Sequence, residues 1–302
     1  MIYYFYPQSV IVVYTLMRRI LETVVQLKVI IFNQSTHPTM SIPVIRSISD
    51  STRIETINRF LQMTDDMSGN SKDCPFIFPN VETVRRCKKV VVTGPVGVGK
   101  TTILSEICKH LDGNVKYMLV PEYIDVLPDA TEKLAKYLKG ELSSYNFQRY
   151  VSVYYIQYLE RIAKDVTDDT ILIFERVPDD ALWCFIKMDQ MKGLISTKEH
   201  QHLSQLIAKM NDYFNLPCYT KTPNQSVVIY KSDELTLNAE SAAKYIKDST
   251  HSKIVIGLFN DVKICYERVL KRARPGEDSY NFNGIFMFNQ CYANMYGNLM
   301  FA

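Results

Sequence analysis

Residues 94–101 read Gly-Pro-Val-Gly-Val-Gly-Lys-Thr, and this octapeptide constrains the fold more than any other feature of the chain. It follows a β-branched run, Lys88–Thr93, and leads into a helix-like pattern that begins at Thr102. Glycines allow the backbone to turn where a Cβ would collide, and their N–H groups can then converge on an anion at a helix N-terminus. A strand, a loop of this spacing and a helix together predict a nucleotide phosphate loop.

The residue types of this loop also predict its ligands. Lys100 is expected to contact the β- and γ-phosphates of ATP, and the Thr101 hydroxyl can bind Mg²⁺. A glycine-rich turn without a ligand is the alternative, and the spacing and flanking elements favour the phosphate loop. The predicted ATP-binding residues are Gly94, Pro95, Val96, Gly97, Val98, Gly99, Lys100, Thr101 and Thr102.

Composition limits the class of protein. The chain has 302 residues, of which 47% are hydrophobic, so it can form one substantial α/β core. Its net charge of +3 gives no support for nucleic-acid binding. The seven cysteines include no Cys-x-x-Cys pair, which disfavours a zinc site or a disulfide framework and indicates a reducing compartment, cytoplasmic or nuclear.

The first 87 residues differ from the rest of the chain. Residues 1–17 carry no charge but are short for a membrane span of ~20 residues, and Pro7 interrupts them. A signal anchor and an element that packs on the core both remain open for this segment. Residues 33–73 are rich in Ser, Thr, Asn and Asp, and indicate a linker with one short helix near 55–63. We therefore divide the chain into an N-terminal extension, 1–87, and a phosphate-loop domain, 88–302.

From residue 88 onward, apolar β-type runs alternate with helical patterns, which predicts an α/β fold with a parallel sheet flanked by helices. The predicted strands are Lys89–Thr93, Val115–Val120, Thr170–Phe174, Val227–Tyr230 and Lys253–Leu258. The predicted helices are Thr101–Leu111, Thr131–Lys139, Asn146–Asp165, Pro178–Met191, Thr197–Phe214, Asp261–Arg272 and Ser279–Leu299. Ligands of such folds bind beyond the carboxyl ends of the strands, so residues there are the candidates for a site.

Charged residues follow two of these strands. Glu122 comes after the second strand, where a carboxylate could act as a general base, although a solvated loop acid is the simpler alternative. Glu175 and Arg176 come at the end of the third strand, whose apolar sequence indicates a buried strand. An acid there could orient Mg²⁺ and an arginine could hold a phosphate, while a surface ion pair is the alternative.

Two further segments carry candidate residues. Arg268, Arg272 and Arg274 cluster before Pro275-Gly276, and arginines on a lid can neutralise charge on a transferred phosphoryl group. A solvated basic helix end would look the same. Gln148 opens a long aromatic-rich helix, and its amide could pair with the edge of a nucleobase.

Taken in order, these motifs resemble the deoxynucleoside kinase superfamily, and herpesvirus-type thymidine kinases most closely. The similar segments are residues 94–102, 120–122, Gln148, residues 175–185 (Glu-Arg-x-Pro-x-x-Ala-Leu-x-Cys-Phe), residues 254–258 and residues 271–277 (Lys-Arg-Ala-Arg-Pro-Gly-Glu). The resemblance covers roughly residues 88–300. It implies a phosphate-loop kinase fold with an arginine-rich lid, and an enzyme that acts on a pyrimidine deoxynucleoside. It also implies a homodimer and, for a viral protein, a location in the host cell.

The resemblance also implies roles for individual residues. Glu122 would accept the proton of the sugar 5′-hydroxyl, and Arg176 would contact the substrate and steady the charge near Glu122. Gln148 would pair with the base between Tyr155 and Phe185, and Glu277 would bind a sugar hydroxyl. The remaining implied catalytic residues are Lys100, Arg268, Arg272 and Arg274, and the implied metal ligands are Thr101 and Glu175.

Several positions depart from the family pattern. Tyr123 and Leu127 stand where proline and tryptophan are usual, and Val177 stands where histidine is usual. Cytidine-preferring relatives carry an acid where this chain has Ala181, which favours thymidine; a shift of one residue would place Asp180 there and favour cytidine. The segment 217–253 has no counterpart that we can assign.

The motifs leave three activities open. The first is phosphorylation of a deoxynucleoside, with thymidine, deoxycytidine or a broad range as substrate. The second is phosphorylation of a monophosphate such as thymidylate, which would need extra arginines rather than the base Glu122. The third is a non-catalytic, diverged viral nucleotide-binding protein, which would be expected to lose Lys100, Glu122 or the lid arginines; all of them are present.

Overall fold

The computed structural model describes residues 58, 60, 81–113, 115–220, 222–274, 277 and 280–301. These residues contain a five-stranded parallel sheet in the order β2-β3-β1-β5-β4. Its strands are β1 (Lys88–Thr93), β2 (Tyr117–Val120), β3 (Ile171–Glu175), β4 (Gln225–Lys231) and β5 (Lys253–Phe259). The predicted α/β class with a parallel sheet is therefore confirmed.

Helices connect the strands and flank the sheet. They are α1 (Val81–Arg86), α2 (Lys100–Leu111), α3 (Tyr123–Val126), α4 (Ala130–Leu138), α5 (Ser144–Ile162), α6, α7 (Thr197–Tyr213), α8 (Ser232–Leu237), α9 (Ala239–Asp248), α10 (Val262–Arg272) and α11 (Phe282–Phe301). Helix α6 starts as Pro178–Asp180, continues through a π-helical segment, Ala181–Ile186, and ends as Lys187–Met191. Each predicted strand and helix after residue 88 is present, with ends displaced by at most about three residues.

The central strands are buried on both faces. Val90, Val91 and Val92 of β1 are fully buried, and β1 pairs with β3 on one side and with β5 on the other. Successive side chains of a strand point to opposite faces, so a run of three valines requires helices on both faces. Val91 contributes to one core cluster, whereas Val90 and Val92 contribute to a second cluster on the other face.

Four helices are absent from the sequence-based assignment: α1, the short α3, α8 and α9. α1 precedes β1 and packs Val81 and Val84 into the same core cluster as Phe60. α8 and α9 occupy the segment 217–253, which the family pattern had left without an assignment, between β4 and β5. α9 packs against α2, the helix that follows the phosphate loop, and buries Ala242 and Ile246 there.

The predicted apolar segment 1–17 and nearly all of the predicted helix at 55–63 lie outside the described residues. The boundary at residue 88 stays a prediction. In the part of the chain that the structure does describe, no helix is both long enough and apolar enough to cross a membrane.

Candidate active site

The carboxyl ends of β1, β2 and β3 meet at one edge of the sheet and carry the phosphate loop, Glu122 and Glu175-Arg176. A cavity of about 910 Å³ opens there. Gly94 and Pro95 are absent from its lining, but every other residue that the sequence proposed for a site lines it: Val96, Gly97, Val98, Gly99, Lys100, Thr101, Thr102, Glu122, Gln148, Tyr155, Glu175, Arg176, Phe185, Arg268, Arg272, Arg274 and Glu277. Segments far apart in the sequence are thus brought to one cavity.

The phosphate loop leaves the start of α2 open to a ligand. Gly99 caps α2 in a left-handed conformation, and no side chain caps the N–H groups of the first turn. Unpaired N–H groups and the positive end of the helix dipole make such a position favourable for a phosphate. Lys100 is the first residue of α2, and its ammonium group lies 3.4 Å from the carbonyl oxygens of Gly94 and Pro95.

Gly97 allows the loop to approach α10, the helix of the lid arginines. Its φ is 79°, and a Cβ built at this position would collide with the carbonyl oxygen of Cys265 in α10. Gly140 has almost the same φ, 76°, but a Cβ there would have no neighbour within 4 Å. Of these two glycines, Gly97 alone combines left-handed backbone with a close approach of a second element.

We expect Gly97→Ala to destabilise the protein by about 1–3 kcal/mol more than Gly140→Ala. Both changes carry the backbone cost of an L residue at positive φ, of order 1–3 kcal/mol, but only the Gly97 change adds the overpacking cost of about 1–3 kcal/mol. Chemical denaturation of the two variants measures the difference. Equal losses in the two variants would contradict the tight contact between the loop and α10.

Glu122 is held between two cations inside the cavity. Its Oε1 accepts a hydrogen bond from Arg176 Nη1 and lies 3.8 Å from Lys100 Nζ. Burial by itself would raise the pKa of this carboxyl, but the nearby charges of Arg176 and Lys100 outweigh burial and hold the pKa below its ordinary value. Glu122 is therefore ionised at neutral pH.

Thr101 and Glu175 meet beside the phosphate loop. The Thr101 hydroxyl lies 3.0 and 3.1 Å from the two carboxylate oxygens of Glu175. Burial, and after it the charge of Glu122, raises the pKa of Glu175 to about 7. A hydroxyl and a carboxylate are oxygen ligands of the kind that Mg²⁺ prefers, so these two residues fit the predicted metal.

Each lid arginine pairs with a carboxylate. Arg272 makes a bidentate pair with Glu277, with N–O distances of 2.6 to 3.0 Å, and Glu277 is only 5% exposed. Arg268 Nη2 lies 2.7 Å from Asp233 Oδ1, and Arg274 Nη2 lies 3.2 Å from Asp125 Oδ1. Arg268 also donates to the carbonyl of Val98 in the phosphate loop, at 3.0 Å. The predicted Pro275-Gly276 hinge lies outside the described residues.

The other end of the cavity is aromatic and contains a buried amide. Gln148 and Tyr155, both on α5, are buried and line the cavity, and Phe185 from the π-helical segment lines it too. No hydrogen bond joins the Gln148 amide to another described side chain, so its donors and acceptor are available to a ligand. The guanidinium of Arg176 lies 5.2 Å from the centre of the Phe185 ring.

Asp180 borders the cavity, but its carboxylate is not available to a ligand. Oδ1 accepts hydrogen bonds from Thr93 and Tyr292, and Oδ2 accepts from the backbone N–H of Val177 and from Tyr219. All four of these donors belong to the protein, so the carboxylate is already satisfied. The neighbouring Ala181 lines the cavity as well.

Sequence analysis missed two carboxylates that line the cavity. One is Asp233, the partner of Arg268, and the other is Asp189 of α6. Asp189 is buried and accepts hydrogen bonds from Ser144 at the start of α5 and from Tyr137 of α4, the latter at 2.7 and 3.0 Å. Burial raises the pKa of its carboxyl. Tyr137 in turn stacks on Phe147, with ring centres 4.4 Å apart. The available signal for Asp189 was an acid within the predicted helix Pro178–Met191.

Comparison with known proteins agrees with the family that the motifs predict. Residues 90–233 match the deoxynucleoside kinase family. No curated protein matches the sequence. Among solved structures, the chain is similar to deoxyadenosine kinase from M. mycoides with bound dATP (19% identity, TM-score 0.43, covering 71% of this chain and 86% of that one). It is also similar to the same enzyme with dCMP and a flexible dCDP (19% identity, TM-score 0.44, 70% and 85%).

Proposed function

We propose that this protein is a deoxynucleoside kinase that transfers the γ-phosphoryl group of ATP to the 5′-hydroxyl of a pyrimidine deoxynucleoside, with thymidine preferred. The observation that carries the proposal is Glu122: an ionised carboxylate, 12% exposed, 3.8 Å from the phosphate-loop lysine in the same cavity. In a cavity that bound ATP alone, a carboxylate next to Lys100 would only weaken binding, because its negative charge would repel the phosphates. An acceptor with a hydroxyl proton to lose gives that carboxylate a function.

In the proposed reaction Glu122 accepts the proton of the 5′-hydroxyl as the oxygen attacks phosphorus. Its ion pair with Arg176 supports this role, because the arginine keeps the carboxylate deprotonated and fixes its direction. In phosphoryl transfer the protein mainly positions the two reactants and compensates the charge of the phosphates, and it takes little part in covalent chemistry. Lys100 and the N–H groups at the start of α2 do both at the phosphates.

Arg268, Arg272 and Arg274 are proposed to compensate the charge that spreads over the transferred group. Their present carboxylate partners Asp233, Glu277 and Asp125 hold them at the rim of the cavity. The Arg268–Asp233 pair is exposed on both sides and contributes little stability, so it can be exchanged for phosphate contacts at small cost. Glu277 is buried, so Arg272 would leave it only as a donor from the acceptor replaces the arginine. Glu277 is then free to accept a hydrogen bond from a sugar hydroxyl.

Mg²⁺ would be held by Thr101 and Glu175 beside the phosphates of ATP. When bound, it would neutralise phosphate charge. The raised pKa of Glu175 fits this arrangement, since burial and the charge of Glu122 outweigh the nearby charges of Lys100 and Arg176, and a bound cation would stabilise the ionised carboxylate.

The base is proposed to lie between Tyr155 and Phe185 and to pair with Gln148. Stacking tolerates any base of the right size, so the amide must discriminate by its hydrogen bonds. Thymine offers N3–H and O4 to a Gln amide, and the flipped amide suits N3 and N4 of cytosine. Ala181 supplies no carboxylate for the cytosine amino group, and Asp180 is occupied by four donors, which supports thymidine.

Ala181→Asp is expected to move the preference toward deoxycytidine. A carboxylate at this position could accept from the cytosine amino group and would oppose O4 of thymine. One such hydrogen bond is worth about 1–3 kcal/mol, so the ratio of kcat/KM for deoxycytidine over thymidine should rise by about tenfold or more. Ala181→Asn, of the same size but able to serve either base, is the matched control. An unchanged ratio in both variants would remove Ala181 from the base-binding site.

The proposed activity is tested with radiolabelled thymidine, deoxycytidine, deoxyadenosine and deoxyguanosine, each with ATP and Mg²⁺, and with thymidylate in parallel. We expect thymidine to give the highest kcat/KM and the purines the lowest, because a second ring overfills the slot. Phosphorylation of thymidylate alone would support the monophosphate kinase. ATP binding without transfer to any acceptor would support a diverged, non-catalytic viral protein. With thymidine as substrate, the proposed role is the supply of DNA precursors by nucleoside salvage. We further propose that the enzyme is a homodimer and is close to the herpesvirus-type thymidine kinases.

A further inference from the structure

Arg176, the arginine that holds Glu122, is itself held from behind by the C-terminal helix α11. Its Nε donates to the hydroxyl of Tyr292 at 3.1 Å, and that hydroxyl donates to Asp180 Oδ1 at 2.7 Å. On the other side, Arg176 Nη2 donates to the carbonyl of Gly94 at 3.0 Å and Nη1 donates to Glu122. One line of polar contacts therefore runs from Glu122 through Arg176 and Tyr292 to Asp180.

Asp180 joins four separate parts of the chain. Its side chain is buried, with 1% of the residue exposed, and each carboxylate oxygen accepts two hydrogen bonds. The donors are Thr93 at the end of β1, the backbone of Val177, Tyr219 before β4, and Tyr292 of α11. Such a buried carboxylate is fixed in place, because any rotation would leave several buried donors unpaired.

The backbone at Arg176 also needs support. Its φ is 65°, in the left-handed region that residues other than glycine rarely adopt, and such a conformation persists only where surrounding contacts impose it. The N–H of Arg176 donates to Val92 at 3.1 Å, and the next N–H, of Val177, donates to Asp180 Oδ2 at 2.9 Å. Asp180 thus fixes both the turn that bears Arg176 and, through Tyr292, the end of its side chain.

We propose that Asp180 and Tyr292 are positioning residues that hold Arg176 in the orientation in which it directs Glu122 toward the acceptor hydroxyl. This inference rests on the proposed function, since it assigns these two residues to the same site. Neither needs to touch the substrate. Removing the Tyr292 hydroxyl leaves Arg176 Nε without an acceptor in a buried position, so the guanidinium shifts and takes the Glu122 carboxylate with it.

The chain offers a matched pair of variants for the test. Tyr292 and Tyr219 are both 1% exposed and both donate a hydroxyl to Asp180, at 2.7 and 2.6 Å, but only Tyr292 contacts Arg176. Tyr292→Phe and Tyr219→Phe therefore remove equivalent hydrogen bonds from Asp180. Replacing Asp180 itself would leave four buried donors unpaired and could prevent folding, so the tyrosine pair is the sharper experiment.

We expect Tyr292→Phe to lower kcat by about 10- to 100-fold, the effect of displacing a reacting group by about 1 Å, with KM for ATP within about threefold of wild type. Tyr219→Phe should lower the thermal midpoint by a similar amount but change kcat less than about threefold. Steady-state kinetics with varied ATP and varied nucleoside, together with thermal unfolding of each variant, measure these effects.

The outcomes separate this inference from the proposed function. An active wild type in which both variants lose kcat equally, or in which Tyr292→Phe keeps kcat, overturns the positioning role alone. A wild type that phosphorylates none of the nucleosides overturns the proposed function, and the positioning role with it. A loss of kcat confined to Tyr292→Phe supports the role.

Discussion

Lys100→Ala is expected to abolish phosphotransfer while the protein stays folded. Lys100 lies at the first turn of α2, with its ammonium group facing the phosphate-loop carbonyls and Glu122. In the proposed reaction this is the charge that meets the β- and γ-phosphates, and removing a group that stabilises the transition state costs ~3 kcal/mol or more. That cost corresponds to a fall in kcat of at least about 100-fold.

The fold should tolerate this change because Lys100 is a poorly stabilised buried cation. Burial, and after it the charge of Arg176, lowers the pKa of Lys100, so the native protein gains little from its charge. Lys109→Ala is the control: it removes an exposed lysine of the same helix, which pairs with Glu106 at 2.5 Å. Initial rates and thermal unfolding are measured for both. Near-normal turnover of Lys100→Ala would remove ATP-dependent transfer from consideration.

The strands and long helices could be predicted from the sequence because each carries a strong local pattern. The β1 valines are buried on both faces and give a continuous apolar run, which is the pattern of a central parallel strand. The helix α9 was missed because its buried face consists mostly of alanines, Ala239, Ala242 and Ala243, whose apolar signal is weak. The π-helical segment Ala181–Ile186 was also missed, since side-chain periodicity does not reveal a change in backbone hydrogen bonding.

The positions of the candidate site residues could be predicted because parallel strands end at one edge of the sheet. The residues with which these side chains form hydrogen bonds and ion pairs could not be predicted. Asp180 is 87 residues from Thr93 and 112 residues from Tyr292, and nothing in the local sequence of any of them indicates the contact. The pairing of Arg268 with Asp233 could not be predicted either, since Asp233 lies in the segment 217–253, to which the sequence analysis assigned no counterpart. Polar contacts between distant segments depend on the packed structure rather than on local pattern.

Glu122→Gln is expected to lower kcat by about 10²–10⁴-fold, the usual contribution of a positioned general base. Glutamine keeps the size of the side chain and an oxygen that can accept from Arg176 Nη1, but it cannot take the proton of the acceptor hydroxyl. Because Arg176 and Lys100 hold the pKa of Glu122 below its ordinary value, the wild-type base is already ionised at neutral pH. The loss should therefore be constant across the neutral range rather than recovered by raising the pH.

The measurement is kcat and KM for thymidine and for ATP, with Glu132→Gln as control. Glu132 is an exposed carboxylate on α4 that pairs with Lys136, so its neutralisation tests the loss of one negative charge without touching the cavity. We expect the control to match wild type and Glu122→Gln to keep KM for thymidine within a few fold. A Glu122→Gln enzyme that lost only affinity would make Glu122 a binding residue. It would favour a monophosphate acceptor, whose phosphate oxygen is already ionised and needs no base.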